Sequence, residues 1–238
     1  ALAVLELRGM ADDQIKKKNG TIITGQIVKV SDGQVTVTSQ TPNGGTAQAL
    51  YYLSDIDSVT MAPPPEMAKV KDDATPATVI ATLEPLVKQF SGLPASWVID
   101  AMMRLADAYD ASGKGDLADA TYSQLNQLYP GSPYQIEVTA GKAKLSLQHG
   151  KIDDAIAALQ PLVDKANQSL TPSSTEGPLY ARVFLVYGEA LAAQKKLPQA
   201  LEAYLTVKTI FYQNPALTEE AGQLADKLRQ ENPGLSVD

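Results

Sequence analysis

The chain has 238 residues, of which 44% are apolar and 20% charged, a balance that supports a folded globular protein and excludes a disordered one. Its net charge of −7 opposes phosphate backbones and anionic lipid as partners. There is no cysteine, which excludes disulfides, thiolate nucleophiles and thiolate-bound metal centres, and no apolar run reaches membrane-spanning length.

The chain opens on Ala1-Leu2-Ala3, which resembles the small-residue end of a secretory signal. The expectation is a periplasmic or cell-envelope location in a bacterium, with the cytoplasm as the alternative. Residues 1–61 then read as a small β module. Ile22, Ile27, Val28, Val30, Val35 and Val37 are β-branched and fall in short runs. Asn19-Gly20 and Asp32-Gly33 are hairpin turns, and Pro42-Asn43-Gly44-Gly45 marks a longer loop. Strands are predicted over 13–18, 21–30, 34–40, 47–53 and 56–61. So few strands bury a core only as a small antiparallel barrel or as a sheet packed on something else.

Residues 62–75 change character. Ala62-Pro63-Pro64-Pro65 is stiff and extended, and Lys69 to Asp73 is charged, which predicts a linker between two domains. From 76 to 238 the period is helical. Helices are predicted at about 76–91, 96–112, 115–129, 134–149, 152–168, 178–195, 197–213 and 217–231. Gly113 and Gly150 sit where a left-handed residue ends a helix, Pro130-Gly131-Ser132-Pro133 separates two pairs, and Gln168 to Gly177 is a polar insertion. The fold class is therefore α+β: a β module followed by an all-α array.

The helices repeat a pattern. Met102-x2-Leu105-Ala106-x2-Tyr109 is followed by Ala118-x3-Tyr122 and Pro130, which resembles the tetratricopeptide signature, with Met for Trp and Ala for Gly. Phe184, Tyr187, Gly188 and Leu191, followed by Ala200-x3-Tyr204, form another copy; Thr139, Lys142, Ala143 and Ser146 form a degenerate one. The anchoring alanines Ala118, Ala155 and Ala200 are 37 and 45 residues apart, so the extra residues fall in loops. Ala81 to Lys88 echoes Ala157 to Asp164, so helix 76–91 reads as the second helix of a partial unit. Pro85 and Pro161 lie inside their helices and are expected to kink them.

The resemblance implies a right-handed superhelix whose first helices line the partner-binding groove. By register that groove holds Asp100, Met103, Asp107 and Asp110, then Glu137, Ala140, Lys144 and Leu147, then Arg182, Leu185 and Glu189. Five of these are acidic and two basic, which suits a basic or amphipathic segment of a protein partner. The family's carboxylate clamp of lysine, asparagine and arginine is not found here.

Asp13 to Ile27, a strand, a turn at Asn19-Gly20 and a second strand bent at Gly25 where the sheet curves, resembles the opening of an Sm-like barrel, and Leu53 to Val59 resembles its closing strand. That resemblance implies RNA binding or ring formation. Residues 1–62 carry five basic and six acidic side chains, and one lysine triplet, Lys16 to Lys18, makes a poor phosphate track.

No catalytic, cofactor or metal site is indicated. His149 is the sole histidine and sits at a helix end. The acidic pairs Asp12-Asp13, Asp72-Asp73, Asp153-Asp154 and Glu219-Glu220 lie at linkers or helix starts without calcium-loop spacing. Trp97 reads as core. The leading expectation is a non-enzymatic interaction or scaffold protein without nucleic acid as a partner. The alternative is an RNA-associated Sm-like protein with a helical appendage; a glycoside hydrolase is third, with no carboxylate pair marked out for it.

Overall fold

The computed structural model describes residues 12–71, 73–168 and 176–236. Ala1-Leu2-Ala3, Asp72 and most of the polar insertion lie outside the described residues. Five strands precede eight helices among the described residues, an α+β arrangement, and the chain divides into two compact units between Ser112 and Gly113.

The first unit begins with β1 (Asp13–Lys17), β2 (Ile22–Ser31), β3 (Gln34–Gln40), β4 (Thr46–Tyr52) and β5 (Ile56–Thr60), all antiparallel in the order β4-β3-β2-β1-β5. β2 changes partner midway: its residues through Gly25 pair with β1, and those from Gln26 pair with β3. The strand bends there because glycine leaves room for it. A Cβ on Gly25 would lie 2.5 Å from Ser39 Oγ and 2.8 Å from the Thr38 carbonyl. Asp13 Oδ2 accepts from the Ile27 N–H at 2.8 Å across the same corner. Burial lifts the pKa of that carboxyl above the ordinary value, against the lowering effect of the hydrogen bond.

Ile15, Ile27, Val35, Val37 and Ile56 are the sheet's buried apolar side chains among the described residues, and Thr36 is buried with them. A register shift between Ile27 and Lys29 leaves Val28 out of the ladder. Its carbonyl is taken by Gln89 Nε2 at 2.6 Å, from α1 (Pro76–Phe90). The expected linker contains a short 3-10 turn at Pro65–Lys69. Arg104 of α2 (Ser96–Ala111) ties its end down by donating to the Val70 carbonyl at 2.6 Å and the Lys71 carbonyl at 3.2 Å. Trp97 is buried as expected, edge-on to Phe90 at 5.3 Å.

The second unit holds α3 (Gly115–Leu128), α4 (Gln135–Gln148), α5 (Ile152–Asn167), α6 (Glu176–Ala193), α7 (Leu197–Thr209) and α8 (Pro215–Glu231). Each helix packs on the next, and α4 packs on α6 and α6 on α8. Neighbour contacts combined with every-other-helix contacts are what stacked helix pairs produce. α6 begins two residues earlier than expected, and α7 ends at Thr209, short of the expected 213. Both α1 and α5 continue through their internal prolines, Pro85 and Pro161. The core gathers Leu159, Val163, Tyr180, Phe184, Leu201, Val207 and Phe211, with Phe184 and Phe211 stacked at 5.1 Å.

Candidate partner-binding face

Close helix crossings position this face. Gly188 on α6 meets Tyr204 on α7 so tightly that a Cβ would lie 2.5 Å from Cε1 of the ring. Tyr204 is buried, and desolvation, then the nearby Glu189 and Glu220, hold its phenol protonated well above the usual tyrosine range. The same device recurs between consecutive pairs, where Tyr122 of α3 fills the space above Gly141 of α4. Small residues thus let backbones approach, and an aromatic ring locks each crossing.

Polar side chains fasten the helices at their edges. Arg182 Nη2 on α6 donates to the Tyr122 hydroxyl at 3.2 Å. Tyr187 donates to Gln160 Oε1 at 2.6 Å, and burial raises its pKa. Lys142 on α4 reaches back to α3, to Asp119 at 3.3 Å and Ser123 Oγ at 2.9 Å. Gln194 donates to Asp153.

The expected groove residues fall on three helices. In the first unit, α2 carries Asp100, which is exposed, Asp107 and Asp110, which are half-buried, and Met103, which is buried. In the second unit, α4 and α6 pack side by side and carry the remaining seven. Glu137, Lys144, Leu147, Arg182 and Glu189 are half-buried, whereas Ala140 and Leu185 are sealed in the core. Asp100, Asp107, Asp110, Glu137, Lys144, Arg182 and Glu189 all have interactions within the fold. The α4–α6 face is therefore a mixed-charge surface with Leu147 as its partly accessible apolar member.

Two concave features carried no signal in the sequence. A polar cleft of about 370 Å³ lies where Asp116 and Asp119 of α3 face Lys142 and His149. A groove of about 640 Å³ runs between α7 and α8 past the exposed Tyr212 and the buried Gly222. Among the described residues no cluster of histidine and carboxylate side chains could hold a metal ion. No helix among them is long and apolar enough to cross a membrane.

Residues 141–215, from within α4 to the first residue of α8, match the family model for the tetratricopeptide repeat. No curated protein matches the chain. The matched span takes in the degenerate copy from Lys142 onward and the copy built on Gly188 and Tyr204, but not Met102 to Tyr122, the copy nearest to the signature. The protein thus contains a helical-repeat region that is similar, over residues 141–215, to the tetratricopeptide repeat, a module that typically serves protein–protein interaction or scaffolding.

Proposed function

We propose that this protein is a non-enzymatic scaffold whose first-helix faces hold a basic or amphipathic segment of a protein partner. The observation that carries the reading is the repeat match over residues 141–215, together with the side-by-side placement of α4 and α6 that the repeat architecture uses to present a surface. Glu137 and Glu189 supply negative charge there, and Asp100, Asp107 and Asp110 supply it on α2. Such charges steer an oppositely charged partner and make association salt-dependent. Net negative charge disfavours nucleic acid in the same role. The proposal extends to a cell-envelope location, which fractionation of source cells tests separately.

The test is affinity capture from the source organism with wild type, the Glu137→Lys/Glu189→Lys and Asp107→Lys/Asp110→Lys double variants, and Glu202→Lys on α7 as a control. Circular dichroism checks folding. The expected result is a specific protein recovered by wild type and by Glu202→Lys and lost with Glu137→Lys/Glu189→Lys, with Asp107→Lys/Asp110→Lys reporting separately on the α2 face. Equal recovery by all four proteins moves the binding surface elsewhere.

A further inference from the structure

We propose that β4 is a self-pairing edge, joining two copies of this chain through an antiparallel β4–β4 contact about a two-fold axis at Ala49. β4 is the last strand of the sheet on its side, with no further strand beyond it among the described residues. Six of its seven residues are exposed, and Leu50 and Tyr52 are among the most exposed large apolar side chains described, at 61% and 60%. Sheet edges in stable monomers are usually blunted by charge, proline, a bulge or shortness. The sequence Thr46-Ala47-Gln48-Ala49-Leu50-Tyr51-Tyr52 has no charge and no proline, and it pairs with β3 in seven consecutive steps without a register shift. The opposite edge differs. β5 has five residues, its junction with β1 is bulged, and the acids at that edge are held by lysines, Asp57 by Lys16 at 3.1 Å and Asp55 by Lys17 at 3.7 Å.

The hydrogen-bond parity selects the register. The Leu53 N–H donates to the Gly33 carbonyl, and the Thr41 N–H to the Gly45 carbonyl, so these two pairs are of the hydrogen-bonded kind at either end of the β3–β4 ladder. Bonded and non-bonded pairs alternate in an antiparallel ladder. Val35 with Tyr51, Val37 with Ala49 and Ser39 with Ala47 are therefore bonded pairs. Thr46, Gln48, Leu50 and Tyr52 turn their backbone N–H and C=O groups outward.

A second copy placed about a two-fold at Ala49 sets Thr46 opposite the other Tyr52 and Gln48 opposite the other Leu50. Every outward group then finds a partner over the full strand. Ala49 faces its own copy at a non-bonded position, where the strands come closest and a small side chain fits. The two Leu50 side chains lie diagonally across the axis, within reach of each other. A two-fold contact brings each charge near its own copy, and an uncharged strand is the sequence that tolerates this. The contact involves the first unit and is independent of the partner proposed for the repeats.

The test uses the full chain in three forms, with light scattering after size exclusion as the first readout. Wild type should run at twice the chain mass of 25.3 kDa. Gln48→Pro removes an outward N–H without touching the β3 ladder and should give a folded monomer by circular dichroism. The chain has no cysteine, so Ala49→Cys is a unique probe. Facing α-carbons about 4.5 Å apart suit a disulfide, and mild oxidation should link the dimer covalently. Thr46→Cys should not link, because its two copies lie about 20 Å apart along the strands. A monomer at every soluble concentration overturns the proposal. So does an oligomer that survives Gln48→Pro, or one in which Ala49→Cys fails to link, the result expected if β4 paired with β5 of a neighbour.

Discussion

Replacing Gly188 with alanine probes the crossing on which the repeat register depends. Two effects oppose each other. Alanine favours a helix interior over glycine by about 1 kcal/mol. The added methyl, however, would lie 2.5 Å from Cε1 and 2.8 Å from Cδ1 of Tyr204, both closer than carbon atoms approach. Tyr204 is 3% exposed, so its ring has nowhere to swing. Overpacking of this kind costs about 1–3 kcal/mol, and a ring held on all sides belongs in the upper half of that range. The net expectation is a loss of about 1–2 kcal/mol. For a unit of this size that lowers the helical melting transition by about 3–8 °C, read by far-ultraviolet circular dichroism. Gly222→Ala is the matched control. There the nearest neighbours of a methyl would be Lys208 side-chain atoms, at 3.5 to 3.7 Å, an ordinary contact. The propensity gain of about 1 kcal/mol then stands alone and should raise the transition by about 3–4 °C. If Gly188→Ala stabilised the unit as Gly222→Ala does, Tyr204 would not sit against Gly188 and the register would be wrong.

Gly141→Ala should also destabilise the second unit by about 1–3 kcal/mol, because its methyl would fall 2.3 Å from Cζ of the buried Tyr122; an unchanged urea midpoint would contradict this. Gly25→Ala should weaken the sheet by a similar amount, since the clash includes the Thr38 backbone carbonyl; Trp97 fluorescence follows the first unit, and an unshifted transition would count against the bend. The Asp13 pKa is raised in the fold, so the folded state holds that proton longer than the unfolded chain. Stability from this group is therefore greatest in acid and falls as pH rises from the ordinary carboxylate value through the folded one. Asp13→Asn keeps an acceptor for Ile27 and should flatten that fall; an identical pH profile would contradict the assignment.

Much of the architecture was legible because turn chemistry punctuates this chain. Asn19-Gly20 and Asp32-Gly33 bracket β2, and Gly113 and Gly150 adopt the left-handed conformation just after α2 and α4. Gly25 could be read as a bend for the same reason: only a missing side chain lets β2 turn from one partner strand to another. Burial within the candidate face was less legible. Helical register says which residues share a face, but it does not say that α4 and α6 touch along theirs, and that contact seals Ala140 and Leu185. The Gly141–Tyr122 lock joins residues from successive pairs, so no spacing within one repeat announces it. The strapping of Val70 and Lys71 by Arg104 depends on long-range placement of one guanidinium. The open edge of β4 was hidden as well, since strand patterning identifies a strand but not the end of the sheet it occupies.

The central claim is that a partner lies on the first-helix face, and thiol footprinting tests it most directly. In a chain without cysteine, Lys144→Cys on α4 and Glu202→Cys on α7 each provide a single reactive site. Labelling rates are measured for each variant alone and with the captured partner. The account predicts that the partner slows labelling at position 144 and leaves position 202 unchanged. Protection at 202 with none at 144 would place the partner on the second-helix face and contradict it.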